Sequence, residues 1–189
     1  AGGRTAAISY SWMSELYSRA PYVSDRDRVQ LDAEGSIQYG MYYWDDNYPD
    51  SHVFAEGECL RKTFDPDFML YHTMAVDEWG HMKGADSAEY ANAVAAVGHL
   101  IAARMPEWLE KGYQVVVTAD HGMNNLGIHV GTERAQREVA LYIFSDKVEN
   151  GRFEENYISQ LNVAPLVCKL MGVPATEGMK QELEIVFSK

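Results

Sequence analysis

The spacing of apolar and polar positions changes several times along the chain, and each change marks an element. Thr5–Tyr10 (TAAISY) is a short run of apolar and small residues that predicts a strand, and Trp12, Leu16 and Tyr17 follow near helical spacing, which predicts a helix to about Tyr17. From Asp25 to Glu58 the pattern loosens. Gly35, Gly40, Asn47 and Pro49 break up an aromatic and acidic stretch, YGMYYWDDNYPDSH, so residues 25–58 are expected to form an irregular excursion. A short helix is expected over Glu56–Lys62, and the continuous apolar run Asp67–Thr73 (DFMLYHT) reads as a buried strand.

The clearest periodicity lies in Asp86–Lys111, where Tyr90, Val94, Val97, Ile101, Met105 and Trp108 recur at spacings of three and four and share one helical face. Asp86 with Glu89 forms a capping-box pattern, and Gly112 is the expected stop. Strands follow at 113–118 and at Glu138–Phe144 (EVALYIF), then a helix over Val163–Met171 closed by Gly172 and Pro174. Strands that alternate with helices and are apolar throughout imply an α/β fold, a mostly parallel sheet with helices on both faces.

Composition narrows the class. At 189 residues, 47% hydrophobic and 23% charged, the chain is expected to be a single α/β domain over 1–189. No apolar run approaches the roughly 18 to 20 residues of a spanning helix, so no membrane partner is expected. With 28 acidic and 16 basic residues the net charge is -12, which argues against binding a nucleic-acid polymer and requires a local positive centre for any anionic substrate; a bound metal ion supplies one. Cys59 and Cys168 are too few and too far apart for a disulfide framework, which leans toward a reducing compartment such as the cytoplasm. The chain opens Ala1-Gly2-Gly3-Arg4-Thr5 without an initiator Met, so no targeting signal is readable from it.

In open α/β sheets ligands bind beyond the carboxyl ends of the strands. Two predicted strands lead directly into metal-type side chains. After Phe68–His72 comes MAVDEWGHMKG, with Asp77 and His81; after Val115–Val117 comes TADHGMNNLGIH, with Asp120, His121 and His129. Imidazole with carboxylate suits zinc, and richer carboxylate sets suit manganese or magnesium. On an extended backbone Asp120 and His121 would point to opposite sides, a disposition suited to bridging two metals, or to one residue on a metal and the other supporting its ligands, rather than to chelating one ion side by side. Gly122 and Gly127 permit the turns that return His129 to the site. His52, His72 and His99 lack such settings and read as packing or surface residues.

The segment from about Asp67 to Pro174 resembles the alkaline phosphatase superfamily, in particular its type I phosphodiesterase and nucleotide pyrophosphatase branch. The matching stretches are DEWGHMKGADSAEYANAV, VVVTADHGM, GIHVGTE followed by VALYIF, and NVAPLVCKLMGVP. The resemblance implies two divalent metal ions, zinc with manganese or iron as substitutes. Asp77, His81 and His129 would hold one ion, Asp120 and His121 the other. It also implies a metal-dependent phosphoester hydrolase acting on a small phosphoester or nucleotide by in-line displacement through a phospho-enzyme.

In that family a further Asp and a Thr or Ser nucleophile complete the centre, and none of Thr5, Ser9, Ser11 and Ser14 has that setting. The chain is therefore expected to be the C-terminal part of a larger catalytic domain with its N-terminal part missing. A sheet edge or apolar face left open in this way favours a homo-oligomer. The competing expectations are a catalytically silent fragment that binds a single structural metal, and a related activity such as that of a sulfatase, phosphonate hydrolase or phosphomutase.

Overall fold

The structure, a computed structural model, describes residues 2–151, 157–179, 183 and 185–188. It divides into two compact units, a larger one of residues 2–103 and 122–137 and a smaller one of residues 104–121 and 138–189.

The larger unit is organised by β1 (Thr5–Tyr10), which lies between two parallel neighbours, β3 (Tyr39–Tyr43) and β4 (Phe68–Tyr71). The two-residue β2 (Val29–Gln30) pairs antiparallel to β3 at the outer edge. Parallel neighbours need long crossovers. Helices α1 (Ser11–Tyr17) and α2 (Ser24–Asp27) fall within the first and α3 (Asp50–Phe64) within the second. Strand alternation distributes the side chains to both sides. Ala7, Ile37 and Tyr42 pack with Met13 of α1, Tyr22 and Leu70, while Ile8 and Tyr43 pack with Val53 of α3, Met41, Met69 and Tyr71. Both faces of this mostly parallel sheet are thus covered, as the all-apolar strands imply. Val53 is fully buried, and its burial stabilises the fold by about 2 kcal/mol.

Residues 25–58 are not an irregular excursion. They contain α2, β2, β3 and the first half of α3. Gly40, which reads as a breaker, sits inside β3, and the tyrosines around it are core residues: Tyr42 and Tyr43 are 0% and 1% exposed. Helix α3 starts at Asp50, six residues before the expected Glu56, because Pro49 occupies the N-cap, where its missing N–H costs nothing. Past β4 the structure again holds more order than expected. MAVDEWGHMKG is largely helical, with α4 running Ala75–Lys83.

Helix α5 spans Ala88–Glu110. Its cap is Ser87, not Asp86: Ser87 Oγ accepts the Tyr90 N–H at 3.1 Å and donates to the Gly84 carbonyl at 2.8 Å. The apolar stripe is only partly covered, and Val94 is 49% exposed. Alongside it, Ala93, Ala96 and Leu100 line an open groove of about 730 Å³ together with Ala75 and Trp79 of α4.

In the smaller unit Gly112 terminates α5 at φ +85, as expected. Strand β5 (Val115–Val117) then pairs with β6 (Tyr142–Phe144). Their pairing is antiparallel, where the sequence leads one to expect mostly parallel strands. Between them lie turns, bends and the four-residue helix α6 (Arg134–Arg137). A 3₁₀ turn, Gln160–Asn162, leads into α7 (Val163–Met171), which buries Leu166 and Leu170 and ends at Gly172 with φ +70. Both cysteines are free thiols. Among the described residues no helix is long and apolar enough to cross a membrane.

One buried charge anchors the first crossover. Asp27 is 0% exposed and accepts from Arg26 at 2.6 and 2.8 Å, from Arg19 at 3.2 Å and from the Val23 N–H at 2.8 Å. The Arg26 hydrogen bonds hold its carboxyl down to about 2. Because this value is depressed on folding, the stabilisation is present above the ordinary carboxylate range and is lost as pH falls from 3.8 toward 2. Asp27→Asn is predicted to lower unfolding stability at pH 7 by about 3 kcal/mol and by less at acidic pH. Denaturant unfolding at the two pH values checks this, and equal stability of the two proteins at pH 7 would contradict it.

Candidate metal centre

The site begins where β4 ends. The chain crosses His72–Met74 and enters α4, on which Asp77 and His81 stand four residues apart, and so on one helical face. Asp77 Oδ2 lies 3.4 Å from His81 Nε2. On the other side of that ring, His81 Nδ1 is 2.8 Å from the carbonyl oxygen of Gly127. A carbonyl only accepts, so Nδ1 carries the proton and donates, and Nε2 is the nitrogen that faces Asp77. Backbone carbonyls commonly orient metal-ligating imidazoles in this way.

The third residue arrives on the loop 122–131. Two buried amides shape this loop. Asn124 Oδ1 accepts the N–H groups of Leu126 and Ile128 at 3.0 and 2.9 Å. Gln136 Nε2 donates to the carbonyls of Ile128 and Val130, both at 3.2 Å, which fixes the backbone on either side of His129. The His129 ring meets the His81 ring at a centroid distance of 5.0 Å, and a ligand atom of His129 lies within 4.8 Å of one on Asp77.

Two glycines permit this approach. At Gly80 a Cβ would stand 2.8 Å from Met123 Cε, so its absence lets α4 pack closely on the loop. Gly127 adopts φ +72, and a Cβ there would stand 2.6 Å from the His81 carbonyl oxygen.

Imidazole and carboxylate are donor types that suit zinc and related divalent ions, and His81, oriented by a carbonyl, stands beside Asp77 with its ring near that of His129. Nearby, the Tyr90 hydroxyl is held above its ordinary value by burial and, secondarily, by the Asp77 charge.

Asp120 and His121 belong to the smaller unit. There the His121 N–H donates to Asp120 Oδ1 at 3.1 Å, and His121 Nε2 lies 3.5 Å from Asp120 Oδ2. The two side chains therefore lie side by side, not on opposite sides as expected. The physical reason is local: β5 stops at Val117 and the chain bends at Asp120, so strand alternation no longer applies. Gln160 Nε2 holds this bend by donating to the carbonyls of Ala119 and Asp120 at 3.0 Å each. Of the five expected ligands, Asp77, His81 and His129 gather in the larger unit and Asp120 and His121 pair in the smaller one.

The remaining candidates are accounted for structurally. His72 faces the Tyr43 hydroxyl at 3.0 Å, His52 packs edge-on against Tyr48, and His99 lines the groove beside α5. Ser9 and Ser14 are fully buried, and Thr5 Oγ1 donates to the Ser36 carbonyl at the opposite end of β1 from the site. Asn124, Gln136 and Gln160 were not signalled by the sequence. The bonds of Asn124 Oδ1 span two to four residues and those of Gln136 Nε2 six to eight, contacts common in turns, and only Gln160 reaches a segment some forty residues away.

A histidine and carboxylate cluster following a strand of a mostly parallel α/β sheet defines a class of candidate metalloproteins. The sequence profile of the type I phosphodiesterase / nucleotide pyrophosphatase family matches residues 4–161. The chain belongs to that family, a branch of the alkaline phosphatase superfamily whose members act on phosphoesters.

Among curated relatives it is 27% identical over 157 residues to the catalytic subunit of GPI ethanolamine phosphate transferase 3 of Mus musculus, covering 79% of this chain and 14% of that protein. Its Homo sapiens counterpart is 29% identical over 115 residues, covering 59% of this chain and 10% of that protein. GPI ethanolamine phosphate transferase 2 of Schizosaccharomyces pombe is 24% identical over 132 residues, covering 59% and 17%. The chain thus spans less than a fifth of the length of these transferases. Among solved structures, an inactive variant of murine ectonucleotide pyrophosphatase / phosphodiesterase 5 in complex with AMP aligns with a TM-score of 0.43 at 15% identity, over 64% of this chain and 30% of that one.

Gly127→Ala is predicted to weaken zinc binding by about tenfold or more, because the added Cβ displaces the carbonyl that orients His81. Calorimetric titration with zinc checks this. Affinity equal to that of the unsubstituted chain would contradict it.

Proposed function

We propose that this chain carries the metal-holding part of a centre that cleaves a phosphodiester or nucleotide pyrophosphate bond in a small molecule by in-line displacement. Asp77, His81 and His129 are the ligands of one divalent ion, zinc or in its place manganese or iron, and Asp120 and His121 contribute to a second. The observation that carries this reading is that His129, 48 residues after His81 and 52 after Asp77, lies near this pair on α4, in a chain of the phosphodiesterase family. Bound cations supply positive charge at the phosphoryl oxygens, which a chain of net charge -12 otherwise lacks.

The residues of the chain do the positioning. His81, with Nδ1 committed to Gly127, offers Nε2 at a fixed angle beside the Asp77 carboxylate. His129 faces them from a loop braced by Asn124 and Gln136. The Asp120 and His121 pair, with a single imidazole and a single carboxylate, is the less complete set, so one tight and one loose equivalent are expected. The attacking hydroxyl is not assigned to any residue of this chain.

The names of the transferase relatives favour a second outcome for the same site, in which an alcohol replaces water as the acceptor. In either case the phosphorus–oxygen bond to the leaving group breaks and a bond from the acceptor oxygen forms, so the two differ only in product.

Incubation of the chain with zinc and bis(4-nitrophenyl) phosphate, with and without an added alcohol such as glycerol, tests both. The expected result is nitrophenolate release that falls to the zinc-buffer background in His129→Ala, with a mixed glyceryl nitrophenyl phosphate diester diagnostic of transfer. Turnover that survives His129→Ala contradicts the site. Zinc binding without turnover supports a silent metal-binding chain instead.

A further inference from the structure

Helix α4 carries Asp77 and His81 but lacks a cap of its own. Its N-cap is Met74, which makes no side-chain capping hydrogen bond. The four leading N–H groups of a helix need acceptors from elsewhere. Here the acceptor comes from a distant element: Asp50 Oδ1 takes the N–H of Met74 at 3.2 Å and that of Ala75 at 3.5 Å.

Asp50 is itself the first residue of α3 and is only 7% exposed. Burial pushes its carboxyl above the ordinary carboxylate range, and the N–H groups of Met74 and Ala75 partly offset this by favouring the charged form. Beside it, the fully packed Tyr43 donates its hydroxyl to the His72 carbonyl at 2.8 Å, and the His72 N–H donates to Ile8 at 2.9 Å. The three residues between β4 and α4 are thus pinned at both ends, and Asp50 supplies the pin on the helix side.

Asp77 follows two residues after Ala75, and His81 one turn later. A shift of the first turn of α4 moves both together relative to His129 and Gly127. From this juxtaposition we infer that Asp50 is a positioning residue for the Asp77 and His81 pair: by accepting the leading N–H groups of α4 it sets where these two side chains stand. Its consequence for metal binding rests on the reading above, but the positioning itself does not.

The test compares three variants of the full chain. Asp50→Ala removes the acceptor, Asp50→Asn keeps an acceptor oxygen, and Leu60→Ala destabilises the same helix at a fully buried position ten residues further along it. In metal-free protein, the ring nitrogen NMR shifts of His81 at fixed pH report its placement beside Asp77 and Gly127. Asp50→Ala is expected to move them, Asp50→Asn to restore most of the original values, and Leu60→Ala to leave them in place.

With cobalt as a visible probe, Asp50→Ala is expected to change the ligand-field spectrum and to weaken binding by about tenfold or more, while Leu60→Ala does neither. Unchanged His81 shifts in Asp50→Ala, or equal changes in Leu60→Ala, overturn the inference. If the unsubstituted chain binds no cobalt through Asp77, as an Asp77→Ala control shows, the metal reading fails while the His81 shifts still decide the role of Asp50.

Discussion

The hydrogen bond from His81 Nδ1 to the Gly127 carbonyl is the contact on which the site depends. It joins a helix following the third parallel strand to a loop 46 residues further on. Its net contribution to stability is only about 1 kcal/mol, and its effect is directional. It selects the tautomer, turns Nε2 toward Asp77 and brings the loop that bears His129 against α4. The surrounding features protect that one contact. Gly80 removes the Cβ that would push Met123 away, Gly127 takes a φ open mainly to glycine, and Asn124 and Gln136 hold the loop backbone from within.

The sheet explains why these residues are available in one place. Parallel pairing of β1 with β3 and β4 directs all three carboxyl ends the same way, and the chain leaving β4 at that rim enters α4 at once. Loops at such a rim can diversify without cost to the core, which is why chemistry concentrates there. Tyr43 and Asp50, buried beneath it, belong to the core and to the rim together. Tyr43 packs with Ile8 and Val53 and also holds the His72 carbonyl; Asp50 opens α3 and also caps α4. The phosphodiesterase family to which the chain belongs gives this rim its chemical context.

Much of this was legible before any coordinates. The β1 strand, α5 and α7 have strong periodicity, and Gly112 and Gly172 sit at positive φ where the pattern placed helix ends. The ligand types of Asp77, His81 and His129 stood out by their positions after apolar strands; the structure sets His81 beside Asp77 and its ring beside that of His129. Features set by non-local partners were hidden. Gly40 reads as a breaker but lies within a strand whose tyrosines are buried on both sides. The helical character of α4 is masked by its polar ligands, and its cap lies 24 residues upstream at Asp50. The side-by-side geometry of Asp120 and His121 follows from a strand that ends at Val117, an end no periodicity marks, and the antiparallel pairing of β5 and β6 has no local signal either.

The account's central claim is that Asp77, His81 and His129 bind a divalent ion together. X-ray absorption at the zinc edge, on the chain loaded with one equivalent, tests it most directly. The predicted spectrum shows nitrogen and oxygen neighbours at about 2.0 to 2.1 Å with the outer scattering of two imidazole rings. A shell of oxygen atoms alone, without imidazole scattering, would contradict it.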